Sequence, residues 1–406
     1  MTEANVLYVT YDGILEPLGR SQVLAYAKGL SADFHMILLT FEKDRDLADA
    51  ERVARTREEV DLAGIEWVAL RYHKRPRLLA KAFDLFQGIW AASRLSFSRG
   101  ARLVHVRSYV SALVGLPVKW LTGCGFIFDM RGLWIDEGVE KGSWTRGSLM
   151  YSVGKRFERR YLLSADAVVS LTQAAVKEMS RWPYLEGRKT DFRVIPTCCD
   201  LAAFKPQDRT VREAVPDRFV LGYVGNVGTW YNFPAVLSCF KYLREEIPKA
   251  TLLIVNRDQH DEIWEHVAAS GVPRNAIELR KSDHQEVAEQ IRRMDASLFF
   301  IKPTYAKLGS APTKLGELLG CGVPGLTNAG VGDMDAHIQR GNVGVLVDFD
   351  QLEVHDVMRA AVLRLVALAR ESDIVNRCNQ VAREHFSLET GVERYRSLYR
   401  DVLARC

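Results

Sequence analysis

From Ser310 to Asp335 the chain reads SAPTKLGELLGCGVPGLTNAGVGDMD, which sets a lysine, Lys314, and a glutamate, Glu317, one helical turn apart. Ser310 and Pro312 cannot extend a strand, Thr313 can cap a helix, and Lys314 to Cys321 reads as a short helix closed by Gly322. A helix N-terminus gathers unpaired amide N–H groups and the positive end of the helix dipole, which makes it a seat for phosphate. Lys314 adds a full charge there. Glu317 lies on the same side of the helix and can accept hydrogen bonds from vicinal hydroxyls such as those of a ribose. Phosphate and ribose together describe a nucleotide; the plainer alternative is a helix start whose lysine and glutamate are both solvated.

A second concentration of chemistry follows Asp129: Met130-Arg131-Gly132-Leu133-Trp134-Ile135-Asp136-Glu137-Gly138. Asp129, Arg131, Trp134, Asp136 and Glu137 share one loop at the carboxyl end of a strand. Such a loop suits a sugar, with Trp134 as an apolar platform and charged groups for the hydroxyls, although a mutually satisfied ion cluster has the same composition. Two glycine-bearing loops also follow strands, one from Gly13 to Gly19 and one, Gly225-Asn226-Val227-Gly228-Thr229, after Phe219 to Val224. Neither has the G-x-G-x-x-G spacing of a dinucleotide site.

The elements that must position these residues alternate along the chain. Val6 to Thr10 is a near-continuous apolar run, as in a parallel sheet covered on both faces. Strands are expected at 34–40, 65–70, 103–106, 126–129, 165–171 and 193–197, with helices at 23–30, 44–63, 78–96 and 173–180. A charged, proline-bearing stretch from Gln207 to Arg218 reads as a linker. After it the alternation restarts, with strands at 219–225, 252–256, 277–279, 296–301, 323–327 and 344–347. The pattern predicts an α/β chain of two doubly wound, Rossmann-like domains with a cleft between them. The first covers 1–205 and is joined by an aromatic-rich C-terminal helix, 384–406; the second covers 206–383. Ligands of such sheets bind at the carboxyl ends of the strands, where both glycine loops and the Asp129 loop lie.

Composition narrows the function classes. A net charge of +4 over 406 residues is only mildly basic, and no basic platform interleaved with aromatics occurs, which argues against nucleic acid. The N-terminus enters a strand directly, without the charged and apolar regions of a signal peptide, so the expected location is the cytoplasm. No apolar run approaches the roughly 20 residues of a membrane-spanning helix. The helix at 78–96 is amphipathic and flanked by Lys74, Arg75, Arg77, Lys81, Arg94, Arg99 and Arg102. It can rest on the anionic inner face of a cell membrane, or simply cover the sheet with its arginines reaching to water. Seven cysteines without metal-ligand spacing read as free thiols, the vicinal Cys198-Cys199 pair included.

With both halves in view the chain resembles the two-domain GT-B glycosyltransferases, most nearly the retaining glycosyltransferase family 4, in its bacterial surface-polysaccharide branch. The resemblance spans the Gly13 to Gly19 loop, Ser164-Ala165-Asp166-Ala167-Val168-Val169, Val194-Ile195-Pro196-Thr197-Cys198-Cys199-Asp200, Gly222-Tyr223-Val224-Gly225 and Lys314-Leu315-Gly316-Glu317 through Pro324. It implies a glycosyltransferase that moves a sugar from a nucleoside diphosphate sugar to a saccharide or lipid-linked saccharide, with retention and without a metal or other cofactor. The donor nucleotide would lie on the second domain. Glu317 would hold the ribose, Lys314 would lie near the diphosphate, and Gly225, Asn226, Gly228, Thr229, Ser310 and Thr313 would line the phosphates. Two departures stand out: the family's first glutamate falls at Gly309, and its arginine after the opening strand falls at Asn226. Lys314, helped by Lys302, Lys307 or Arg257, would then neutralise the diphosphate. On the acceptor side Asp129, Arg131 and Asp136 are the catalytic candidates, with Gly13, Gly19, Arg107, Trp134 and Glu137 as substrate contacts. Aspartate triplets at Asp44/Asp46, Asp333/Asp335 and Asp348/Asp350 read as helix-start and loop carboxylates. A GT-B sugar-nucleotide epimerase and a catalytically silent nucleotide-binding scaffold are the competing expectations, the latter favoured by Gly309.

Overall fold

The computed structural model describes residues 4–206, 218–282 and 284–406; the linker stretch read at 207–218 lies outside them except for Arg218. The chain divides into two units, Met1–Pro196 with Leu388–Cys406, and Thr197–Ser387. The joints fall at 196/197 and 387/388 rather than at the expected 205/206 and 383/384. The reason is local: Cys199 N donates to Phe386 O at 2.8 Å, and Cys199 bridges Ser387, so both passages of the chain are fastened within the second unit.

The first unit holds a seven-stranded parallel sheet ordered β3-β2-β1-β4-β5-β6-β7. Its strands are β1 (Asn5–Thr10), β2 (His35–Lys43), β3 (Glu66–Tyr72), β4 (Leu103–Arg107), β5 (Gly125–Asp129), β6 (Ala167–Ser170) and β7 (Phe192–Val194). β1, β4 and β5 are buried along nearly their whole length, as apolar strands covered on both faces must be. Between the strands run α1 (Pro17–Gly19), α2 (Ala25–Leu30), α3 (Asp44–Leu47), α4 (Ala50–Leu62), α5 (Arg77–Arg99), α6 (Ser108–Thr122), α7 (Trp134–Glu140), α8 (Leu149–Ser164) and α9 (Gln173–Met179). A π-helical turn, Arg20–Leu24, joins α1 to α2, so the helix expected at 23–30 starts six residues earlier, at Pro17. α6 and α8 were not announced by any helical period: α6 is apolar nearly all round and carries Pro117, while α8 turns large apolar residues outward.

The second unit has a six-stranded parallel sheet ordered β10-β9-β8-β11-β12-β13. It comprises β8 (Val220–Val224), α10 (Phe233–Glu246), β9 (Thr251–Val255), α11 (His260–Ser270), β10 (Ile277–Arg280), α12 (His284–Arg292), β11 (Ala296–Leu298), α13 (Thr313–Gly320), β12 (Gly325–Asn328), α14 (Met334–Gly341), β13 (Gly344–Val347), α15 (His355–Ala369) and α16 (Ile374–His385). Each sheet changes its winding direction once, between β1 and β4 in the first unit and between β8 and β11 in the second, and open α/β sheets bind ligands beside such a point.

The last helix, α17 (Leu388–Leu403), returns to the first unit and packs on α2, β4 and β5. Its Tyr399 bonds His105 at 2.6 Å, its Tyr395 donates to Asp129 at 2.9 Å, and its Arg400 meets Asp33 at 2.9 Å. All seven cysteines are free, and all but Cys406 are buried.

Candidate functional site

The strand ends gather the candidates in each unit. In the second unit β8 runs out at Val224 into Gly225 (φ 115°), and a Cβ at Gly225 would stand 2.7 Å from Lys314 Nζ. Lys314 is the second residue of α13, so its side chain starts beside the helix N-terminus. Thr313 opens that helix and Pro312 occupies the cap, with no side-chain hydrogen bond; the expected Thr313 cap is corrected accordingly. Lys314 Nζ is buried without a hydrogen-bond partner and sits 4.0 Å from the Tyr231 ring centre, 5.1 Å from Phe299 and 5.4 Å from Tyr223. Burial drives its pKa down to about 7, against the opposing pull of Glu317. Glu317 is itself buried on the same helix.

The loop after β8 is held in shape by side chains rather than by its own glycines alone. Gln259 accepts from Val227 N at 3.0 Å and donates to Val227 O at 2.8 Å, while Asn256 donates to Gly225 O at 2.9 Å. Gly228 (φ 84°) faces Glu262, and Thr229 stands exposed in the left-handed region at φ 49°. Asn226 is exposed and its carbonyl accepts from Tyr223. Ser310 and Thr313 are half-buried just ahead of and at the start of α13. Arg257 and Lys302 are exposed, Arg257 lying 3.9 Å from Asp258, and Lys307 is packed with its ammonium 4.0 Å from the Trp230 ring centre. Of the four cations expected near a diphosphate, Lys314 is therefore the one aimed at the strand-end glycine.

In the first unit the sheet register sets Thr10 beside Arg107 and Arg107 beside Asp129, at the ends of β1, β4 and β5. Arg107 is buried and pairs with Asp12 at 3.2 Å. Asp129 is sealed: it is 1% exposed, accepts from Tyr395, and lies 3.7 Å from His105 Nε2 and 3.9 Å from Arg131. Burial alone would raise its carboxyl, but the charges of Arg131, His105 and Arg107 outweigh that and hold it below the usual range. Asp129, expected as a catalytic candidate, is thus buried and partnered within the protein, where it anchors its neighbours. Arg131 is held beside it with φ 58°. Ser108, Arg131, Thr229 and Asn342 are the non-glycine residues at positive φ among the described residues, and the first three follow β4, β5 and β8 in the chain.

Residues 134–140, expected in a loop, form α7. Asp136, in its first turn, is buried and accepts from Tyr151 and Lys155, both at 3.1 Å, so its carboxylate is committed within the protein. Glu137 pairs with Lys141 at 2.8 Å. Trp134 is part-exposed, its ring centre 5.7 Å from that of Tyr109 at a tilt of 38° and 5.1 Å from that of Trp144 in a T-shaped contact.

The glycines of the first loop have a packing role. A Cβ on Gly19 would stand 1.9 Å from Gly13 O, and one on Gly13 would stand 2.2 Å from Glu42. Buried Glu42 accepts from Ile14 N at 2.8 Å and Leu15 N at 3.2 Å, which takes up the amides that a ligand would otherwise use. Gly13 and Gly19 thus shape the loop by close packing. Glu42 was missed, although a lone acid inside the apolar run of β2 is a visible signal. The rings around Lys314 carried no such signal, since Tyr231 and Phe299 lie far from it in sequence.

Comparison with known proteins places the fold among sugar-transfer enzymes. Residues 19–198 match the family described as "Glycosyl transferase 4-like domain". No curated protein sequence matches the chain. Among solved structures, sucrose-phosphate synthase from Thermosynechococcus elongatus superposes with a TM-score of 0.72 at 17% identity, covering 100% of both chains. HepE from Anabaena, in complex with UDP and glucose, superposes at 0.68 and 13% identity, covering 98% of this chain and 100% of that one. WaaG, a glycosyltransferase involved in lipopolysaccharide biosynthesis, superposes at 0.64 and 15% identity, covering 97% and 99%. Residues 19–198 are thus similar to a glycosyl transferase 4-like domain, and the chain over its whole length shares the two-sheet GT-B fold of these solved structures.

Proposed function

We propose that the protein transfers a sugar, with retention and without a metal, from a nucleoside diphosphate sugar to a saccharide or lipid-linked saccharide acceptor in bacterial polysaccharide biosynthesis. The observation that carries this reading is Lys314 Nζ, buried, without a hydrogen-bond acceptor, beside the N-terminus of α13 and the glycine that ends β8. A buried ammonium with no acceptor is costly, and a diphosphate supplies the missing partner.

Transfer builds positive charge at the anomeric carbon and negative charge on the departing diphosphate. Lys314 and the positive end of the α13 dipole stand ready to stabilise the latter without reorganising, a form of electrostatic preorganisation. Glu317 takes the ribose hydroxyls, and the exposed cations Arg257 and Lys302 attract the anionic donor from solution. Where configuration is retained, the leaving phosphate itself takes the acceptor proton and no separate base is required. On the acceptor side Arg107 and Trp134 are the contacts, Asp129 fixes Arg131, and Asp136 fixes the start of α7. HepE was captured with UDP and glucose, which makes UDP the first nucleotide to try. The scaffold reading retains one favouring observation, the glycine at position 309 where the family has a glutamate.

The test is thermal stabilisation and calorimetry with UDP, GDP, ADP, CMP and dTDP, with and without magnesium, on wild type and Glu317→Ala. Ligand that binds only the folded state raises stability by mass action. One diphosphate should stabilise selectively, more weakly in Glu317→Ala and alike with and without magnesium. No response to any nucleotide would sink the donor assignment, and stabilisation without product from a lipid-linked acceptor would favour the scaffold.

A further inference from the structure

The helix layer α5, α6 and α8 of the first unit is built inside out. On α5 the buried positions are small or polar, Ala80, Asp84, Gly88, Ala91, Ala92 and Ser96. A Cβ at Gly88 would already crowd Phe41 and Val114, so this face fits the sheet only because it is small. The opposite face carries Leu79, Phe83, Phe86, Trp90 and Phe97, with Leu79 71%, Phe86 70% and Trp90 57% exposed. Spacings of 4, 3, 4 and 7 residues place these five on one stripe. A helix that only covers a sheet turns its large apolar residues inward, which removes them from water; here they are left outside.

α8 repeats the arrangement with Leu149, Met150, Val153 and Phe157 exposed at helical spacing. α6 packs against both α5 and α8, and its end adds exposed Trp120 and Leu121. Arg160 of α8 lies over the Trp120 ring at 5.2 Å, so the outward faces of α6 and α8 adjoin.

Charge selects the occupant. α5, α6 and α8 contain two carboxylates, Asp84 and Glu158, and both are fully buried. The charges these helices show to solvent are cations, among them Lys81, Arg94, Arg156, Arg159 and Arg160, preceded by exposed Lys74 and Arg75. Arg94 reaches over the Trp90 ring at 5.6 Å, a long side chain lying along an aromatic that it borders. Aromatic residues set among basic ones, with no exposed acid, match the acyl–headgroup boundary of an anionic bilayer. No helix among the described residues is long and apolar enough to cross a membrane.

We infer that the outer face of α5, α6 and α8 lies on an anionic lipid surface, with Leu79, Phe83, Phe86 and Trp90 inserted and the arginines at the headgroups. The inference deepens the lipid-linked acceptor part of the proposed function and rests on it only for purpose, since binding is measured without turnover.

The full chain is floated with vesicles of phosphatidylcholine containing phosphatidylglycerol, and with pure phosphatidylcholine. Wild type should float with the anionic vesicles, lose at least about tenfold in affinity on pure phosphatidylcholine or at high salt, and show a blue-shifted tryptophan emission. Phe86→Glu with Trp90→Glu, and separately Met150→Glu with Phe157→Glu, should each weaken floating about tenfold or more. Leu62→Glu, an exposed change on α4, should float like wild type. Stabilisation by UDP should be unchanged in every variant, which separates failure of this surface from failure of the donor site. The inference is overturned if wild type stays in solution, if the glutamate pairs float as wild type does, or if ultracentrifugation shows that they dissolve a dimer without affecting vesicle binding.

Discussion

Lys314 makes a prediction whose sign follows from its two environments. Its ordinary pKa is 10.5 and burial takes it to about 7, so between those values the unfolded chain binds the proton and the folded chain does not. Its contribution to stability therefore rises with pH across that window and is flat on either side. Lys314→Met should be more stable than wild type at pH 6, with the advantage shrinking as pH approaches 10; a constant difference in Tm would contradict the assignment. Diphosphate bound at the proposed site should reverse the shift, because an anion beside the ammonium restores its proton. At pH 8 calorimetry in buffers of differing ionisation enthalpy should record proton uptake on UDP binding in wild type and no UDP binding in Lys314→Met. The lysine and Glu317 were legible because they share one helical turn. The aromatic rings packed around its ammonium were not, because they reach Lys314 only through the winding of the second sheet.

At the scale of elements, the glycine loop and α17 give separate stability tests. Gly19→Ala puts a methyl against the Gly13 carbonyl and should cost on the order of 1–3 kcal/mol in urea unfolding, with a lower temperature midpoint. Tyr395→Phe removes the hydroxyl that donates to buried Asp129 and should cost about 1.5–3 kcal/mol, as for a hydrogen bond to a charged group. Unchanged stability in either variant would mean that the loop or the helix relaxes at no cost. The strands were readable from their apolar runs, and eleven residues of α5 to either side of Gly88 carried a clear helical period. α7 was hidden because Trp134-Ile135-Asp136-Glu137 has the composition of a binding loop. α8 was hidden because its apolar residues serve a face outside the core, so no partner strand explained them.

For the molecule as a whole, the proposed function assigns donor and acceptor to different units, and substitutions should sort accordingly. Trp134→Ala should raise the acceptor KM severalfold, about 1 kcal/mol for one lost stacking contact, and leave the UDP-induced shift in Tm intact. Glu317→Ala should weaken UDP stabilisation and leave the acceptor dependence alone. A Trp134→Ala variant that lost UDP stabilisation would show that the two functions are not separable by unit. The alternation of strands and helices was enough to read two doubly wound sheets, while the places where the chain passes between them were set by Cys199 and Phe386, which no composition marks.

The return of α17 also orders events during synthesis. Thr197–Ser387 is complete before Leu388 leaves the ribosome, whereas His105 and Asp129, placed in the first sheet long before, wait for Tyr399 and Tyr395. The unit made first is thus the one finished last, and a stop codon just before Leu388 would leave every strand of both sheets in place yet strip the first of the hydroxyls that its buried histidine and aspartate require.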